Sequence, residues 1–104
     1  MFLVDSHCHF DLLDLSSDAD CIDAVIKRAF NANVKCFLNV CVDVVDFEKV
    51  LKTAVTYPFV FASVGLHPHH EGIEPTVEEL MSHAMHEKVI AIGETGLDLS
   101  LIHI

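Results

Sequence analysis

Apolar residues occur along this chain in two alternating modes: short continuous runs, and longer stretches in which they recur at every third or fourth position. The runs are FLVDSH (Phe2 to His7), VKCFLNVC (Val34 to Cys41), FVFASVG (Phe59 to Gly65) and KVIAIGE (Lys88 to Glu94). Their β-branched and aromatic content predicts four strands. The stretches between them predict three helices. In the first, Ser17 caps a helix from about Asp18 to Ala32, with Cys21, Ile22, Val25, Ile26 and Ala29 on one face. In the second, Asp43 caps a helix carrying Phe47, Val50, Leu51, Ala54 and Val55, which must stop near Tyr57 because Pro58 follows. In the third, Thr76 and Glu79 form a T-x-x-E capping box that opens a helix through about Glu87, with Val77, Leu80, Met81 and Ala84 facing inward.

Strand and helix alternate strictly, and near-continuous apolar strands indicate a parallel sheet buried on both faces. The class is therefore α/β. His7, His9, Asn39, His67 and Glu94 all fall at the C-terminal ends of their strands, the face on which β/α barrels build their sites. Open sheets concentrate their ligands beside one crevice and carry a Gly-rich phosphate turn after the first strand, which is missing here. The pattern favours a barrel, with four parallel strands alternating with three helices in this chain.

Composition changes the picture in two respects. The chain has 104 residues, 52% of them hydrophobic, and a mean hydropathy of +0.44, high for a small domain with a large share of wet surface; a portion of a larger core is expected. The formal charge is −10, from 16 acidic residues against 6 Lys and Arg, which argues against passive binding of nucleic acid. Bound divalent ions would supply the local positive charge that this count omits. Asp18, Asp20, Asp43, Asp46, Glu78 and Glu79 sit where they complement helix dipoles. Cys8, Cys21, Cys36 and Cys41 form no CxxC pair and read as small buried hydrophobes in a reducing compartment. With no secretory h-region and no membrane-length segment, a cytoplasmic protein without membrane partners is expected.

Candidate chemistry gathers in three places. In a strand, His7 and His9 share a face with Asp5 while Cys8 points away, so two imidazoles converge. GLHPHH (Gly65 to His70) places His67 on a loop in which Gly65 permits a tight turn and Pro68 adds stiffness. GETGLD (Gly93 to Asp98) sets Glu94 between glycines at a strand end. Two ring nitrogens and a carboxylate from the first and fourth strands suit zinc, manganese or magnesium. His69 and His70 read as exposed loop residues, and His83 and His86 as partners of the third helix's C-terminal dipole.

DSHCHFD, NVCVD, GLHPH and AIGETGLD, in this order and after successive strands, resemble the TatD family of metal-dependent deoxyribonucleases. The resemblance spans residues 2 to 98. It implies that His7, His9 and Glu94 are metal ligands, with Glu94 bridging two divalent ions (Mg, Mn or Zn), and that His67 approaches a substrate phosphate. It makes Asp5, Asp11 and Asp98 residues that orient their neighbours. The implied activity is hydrolysis of phosphodiester bonds, with DNA or another phosphodiester substrate as the partner, and Glu94 and His67 as the catalytic pair.

A complete (β/α)₈ barrel takes ~250 residues, and the family draws further ligands, two histidines and an aspartate, from later strands. Residues 1–98 are therefore expected to be the N-terminal half of such a hydrolase barrel. LSLIHI (99–104) departs from the family pattern and is expected to be a truncation or a spliced reading frame, so His103 is discounted as a ligand. Two other readings stay open: an amidohydrolase cleaving C–N bonds, whose superfamily also opens with His-x-His, and an inactive half-barrel that self-associates. Against the amidohydrolase, Lys88 lies at the wrong end of the fourth strand to bridge metals.

Overall fold

The computed structural model describes residues 1–15, 21–69 and 73–97. Strands β1 (Leu3–Cys8), β2 (Val34–Asn39), β3 (Val60–Val64) and β4 (Val89–Ile92) alternate with helices α1 (Ile22–Asn31), α2 (Phe47–Thr56) and α3 (Val77–Ala84). All pairings are parallel and the sheet order is β1-β2-β3-β4. Strand order follows chain order without reversal. Each right-handed crossover therefore advances the sheet in one direction and places its helix on one face, as in an arc of a β/α barrel.

The core lies between that face and the helices. Phe37, Val60, Ala62 and Val64 from the sheet meet Ile26 of α1 and Phe47, Val50 and Ala54 of α2. Phe10, on a 3₁₀ turn just past β1, closes one end through an edge-on contact with Phe37, ring centroids 5.5 Å apart. Lys35 and Lys88 belong to the framework: their ammonium groups cap the Phe30 carbonyl and the Tyr57 and Pro58 carbonyls, and lie over the Phe30 and Phe61 rings. Lys88 is thus committed to the end of the sheet away from the strand-end histidines.

Several elements differ from their sequence expectation, each for a physical reason. The anticipated cap of α1 at Ser17 and the start at Asp18 lie outside the described residues; Cys21 is the N-cap of the described helix and makes no side-chain capping bond. Just past α1, Asn33 adopts a left-handed conformation (φ 67°) that Asn tolerates better than most residues. Asp43 caps as expected, accepting from the Val45 N–H at 3.1 Å, but what it opens is a 3₁₀ turn leading into α2. The Thr76/Glu79 capping box is present in full, yet α3 stops at Ala84 rather than Glu87. Val77 and Met81, expected to face inward, are exposed, and so is Val55, grouped in the sequence with Phe47 and Val50 on one side of the second helix. β1, expected to be buried on both faces, is exposed up to Cys8. Among the described residues it pairs with β2 alone, and β4 with β3 alone, so the apolar residues of these outer strands lack the neighbours that bury the central ones.

Candidate metal centre

The strand ends bring the predicted residues to one place. β1 ends at Cys8 and β4 at Ile92, so His9 is the first residue of its outgoing turn and Glu94 the second of its own. The Glu94 N–H donates to the Cys41 carbonyl at 2.8 Å, the Val40 N–H to the Cys8 carbonyl at 2.8 Å, and the His67 N–H to the Val42 carbonyl at 2.7 Å. These bonds stitch the turns after β1, β3 and β4 to the segment after β2.

One ligand atom from each of His7, His9 and Glu94 lies within 4.8 Å of the other two. His7 Nε2 and His9 Nε2 are 3.2 Å apart, and Glu94 Oε2 is 3.6 Å and 3.3 Å from them. Ligands held about 2.0–2.1 Å from a tetrahedral ion stand about 3.3 Å apart, so the three edges have the size of a coordination triangle. The tautomer of His9 fits as well. Its Nδ1 lies 2.8 Å from the Val40 carbonyl oxygen, which can only accept; the proton is therefore on Nδ1, and the Nε2 lone pair faces the cluster.

His67 is oriented for a different task. Its Nδ1 accepts the His69 backbone N–H at 3.0 Å, which puts the proton of the neutral ring on Nε2. Nε2 stands 3.6 Å from the second carboxylate oxygen, Glu94 Oε1. Glu94 thus presents one oxygen to the histidine pair and the other to a hydrogen-bond donor. Asp5 Oδ1 accepts the His7 backbone N–H at 3.1 Å, steadying the strand end. Asp11 Oδ1 is buried without a hydrogen-bond partner among the described residues. Asp98 and His70 lie outside the described residues, as does the 99–104 tail.

Two supporting residues carry more than their sequence context suggests. Asn39 is fully buried; its Oδ1 accepts the Phe10 N–H at 3.0 Å and its Nδ2 donates to the Val50 carbonyl at 3.4 Å, pinning the turn that carries His9 onto α2. Ser63 accepts the Cys41 N–H at 3.0 Å and donates to the Gly93 carbonyl at 2.7 Å, bridging the ends of β2 and β4 directly before Glu94. Its signal was a lone hydroxyl inside FVFASVG. Gly65 also does something other than turn: a Cβ there would stand 2.5 Å from the Glu94 carbonyl oxygen and 2.7 Å from the Gly93 carbonyl carbon. Glycine is present because two backbones touch.

Burial pushes the Cys8 thiol up from near 9 to about 12, with Asp5 and Asp11 adding to the effect. Cys41 rises to about 11, again chiefly by burial. Their Sγ atoms donate to the Leu38 and Asp43 carbonyls. A raised thiol pKa favours the fold below the unfolded value near 9, and that stabilisation is lost as pH climbs toward 11–12. Iodoacetamide at pH 8 is accordingly expected to modify exposed Cys21 first and to leave Cys8 and Cys41 protected until the chain unfolds; peptide mapping reads the order, and early alkylation of Cys41 would contradict it.

A parallel β/α sheet advancing in one direction, with a histidine pair and a carboxylate converging at its C-terminal end, defines a barrel-type α/β protein whose His7, His9 and Glu94 could hold a divalent metal ion through nitrogen and oxygen ligands. The model of the TatD related DNase family matches residues 4–103, and the chain belongs to this family. It is 39% identical over 98 residues to "Uncharacterized metal-dependent hydrolase YcfH" of Escherichia coli (strain K12), covering 94% of this chain and 37% of that protein. It is 33% identical over 110 residues to "Deoxyribonuclease TATDN3" of Homo sapiens, covering 94% and 39%. The crystal structure of YJJV, a TatD homologue from Escherichia coli K12, superposes with a TM-score of 0.78 at 34% identity, over 92% of this chain and 38% of that one. The chain spans about two-fifths of the length of these relatives.

Proposed function

We propose that the protein to which this half-barrel belongs is a metal-dependent hydrolase of phosphodiester bonds acting on DNA. The observation that carries this reading is the division of labour at Glu94, with Oε2 at the His7/His9 pair and Oε1 at the Nε2–H of His67. A carboxylate with two separately addressed oxygens suits a bridge between two divalent ions. Such ions supply Lewis-acid activation of water and of a phosphoryl oxygen, and their charge offsets the acidic surface for a phosphate substrate. His7 and His9 would hold metal on one side of the carboxylate, and the His67 N–H would donate to a phosphate oxygen. The name given to the human relative, a deoxyribonuclease, supports this substrate class. An amidohydrolase reading finds no support at Lys88, whose ammonium is engaged with Tyr57, Pro58 and Phe61. All four cysteines are unpaired thiols, which supports a reducing, cytoplasmic setting; among the described residues no helix is long and apolar enough to cross a membrane.

Nucleotide release from DNA with added manganese or magnesium, in a chain completed to family length, tests the reading. Activity that survives exhaustive chelation would overturn it, as would cleavage of cyclic amides in place of phosphodiesters. His67→Ala is expected to leave metal binding intact and to weaken substrate engagement by about 1–3 kcal/mol, the scale of one charge-assisted hydrogen bond. Steady-state kinetics beside bound-metal analysis would show this, and loss of metal in that variant would make His67 a ligand instead.

For the 104-residue chain alone we propose self-association and no catalysis of its own. Among the described residues β1 and β4 each have one backbone edge without a strand partner, and Leu3, Val4, Ile90 and Ile92 are exposed on these outer strands. Sedimentation across micromolar concentrations is expected to show oligomers, and a cooperatively folding monomer would contradict this.

A further inference from the structure

A cavity of about 390 Å³ opens beside the metal cluster, between the loop that follows β3 and the start of α3. His67 borders it, Leu66, Pro68, Pro75 and Leu80 give it apolar walls, and among the described residues Glu74 supplies a carboxylate. Its volume lies in the range of small-molecule sites. Among the described residues no lysine or arginine lines it, and the Glu74 charge repels phosphate, so this is a poor path for a sugar-phosphate backbone. It suits a neutral, flat group placed next to a phosphate. Among the described residues Glu74 has no hydrogen bond or ion pair within the protein, which leaves it free to accept from a ligand.

We propose that this cavity is a nucleobase subsite. It takes the heterocycle adjoining the phosphate that His67 engages, and it prefers the bases whose exocyclic amine can donate to Glu74 (adenine, cytosine and guanine) over thymine, which has no exocyclic amine. The inference rests on the phosphodiesterase reading for its choice of ligand. Apolar walls with one hydrogen-bonding group at the base edge are the general means by which enzymes hold an unstacked base. Pro68 and Pro75 restrict the backbone on two sides of the cavity, so it is preformed to that extent.

Ligand-observed saturation-transfer NMR on the metal-free chain tests this with deoxyadenosine, deoxycytidine and thymidine as probes. Transfer to the base protons is expected for the first two, with affinity about tenfold above that for thymidine, the scale of one hydrogen bond to a charged group. Glu74→Ala, on an exposed loop, is expected to erase the preference, and Glu74→Gln, which keeps an acceptor, to retain part of it. Leu80→Trp, checked for folding by circular dichroism, is expected to block all three probes. Absence of transfer, equal affinity for thymidine, or a preference that survives Glu74→Ala would each overturn the proposal. Because the titration contains neither metal nor phosphate, its failure leaves the metal-centre reading untouched; base binding that persists where metal-dependent hydrolysis fails would retain the subsite and remove the phosphodiesterase.

Discussion

Glu94→Gln is expected to abolish metal binding and, in a chain completed to family length, turnover with it. The amide keeps the size of the carboxylate but removes the charge, and its nitrogen can only donate. One of the two positions that now face the His7/His9 pair and the His67 N–H would become a mismatched donor. At the histidine side the ligand triangle with edges of 3.2, 3.3 and 3.6 Å loses its anionic corner. Residues that merely support metal ligands already change affinity by about 10–100-fold, so loss of a ligand charge is expected to cost at least about 100-fold. Calorimetric titration with zinc or manganese reads this directly in the 104-residue chain. Full nuclease activity in Glu94→Gln would defeat a two-ion mechanism; unchanged affinity would remove Glu94 from the ligand set.

Gly65→Ala is expected to destabilise the chain by about 3 kcal/mol, at the upper end of overpacking costs, and to weaken metal binding together with stability. The added methyl would meet backbone atoms of Gly93 and Glu94 at 2.5 to 2.8 Å, and those atoms are not free to yield. The Gly93 N–H donates to the Val64 carbonyl at 2.9 Å, the Gly93 carbonyl accepts from Ser63 at 2.7 Å, and the Glu94 N–H donates to Cys41 at 2.8 Å. Relief of the clash must break some of these bonds and shift the carboxylate away from the histidines. Gly93→Ala is the control: its Cβ would meet nothing within 4 Å, and its φ is not in the left-handed range. Thermal melts of the two variants should therefore diverge by many degrees, since about 1 kcal/mol moves the midpoint of a domain this size by 4–8 °C. Equal melting temperatures would mean that the β3–β4 junction is softer than its hydrogen bonds imply.

Much of the architecture was legible in order and type. Strand-like runs and helical spacing follow from local periodicity, which needs no partner to be read, and the Thr76/Glu79 box and Pro58 mark their boundaries by backbone chemistry within a few residues. Burial was less legible. Val4 and Ile92 are as apolar as Val60 and Val64, but the first pair lies on outer strands and the second in the middle of the sheet. Side-chain hydropathy states what a residue would gain from burial; the number of neighbouring strands and helices decides whether it receives it.

The same division holds at the site. The sequence alone determined the alternating α/β class and the residue types at the strand ends, His7, His9, His67 and Glu94, because motif spacing ties each of them to the end of an apolar run. Tertiary structure decided what those residues are to one another. The Val40 carbonyl sets the tautomer of His9, and the His69 N–H makes a donor of His67. Ser63 and Gly65 set the height of Glu94 through contacts across about 30 residues of chain. Hydrogen-bond direction and backbone contact depend on which strands become neighbours, and pairing between distant segments is a property of the folded sheet that no local pattern encodes.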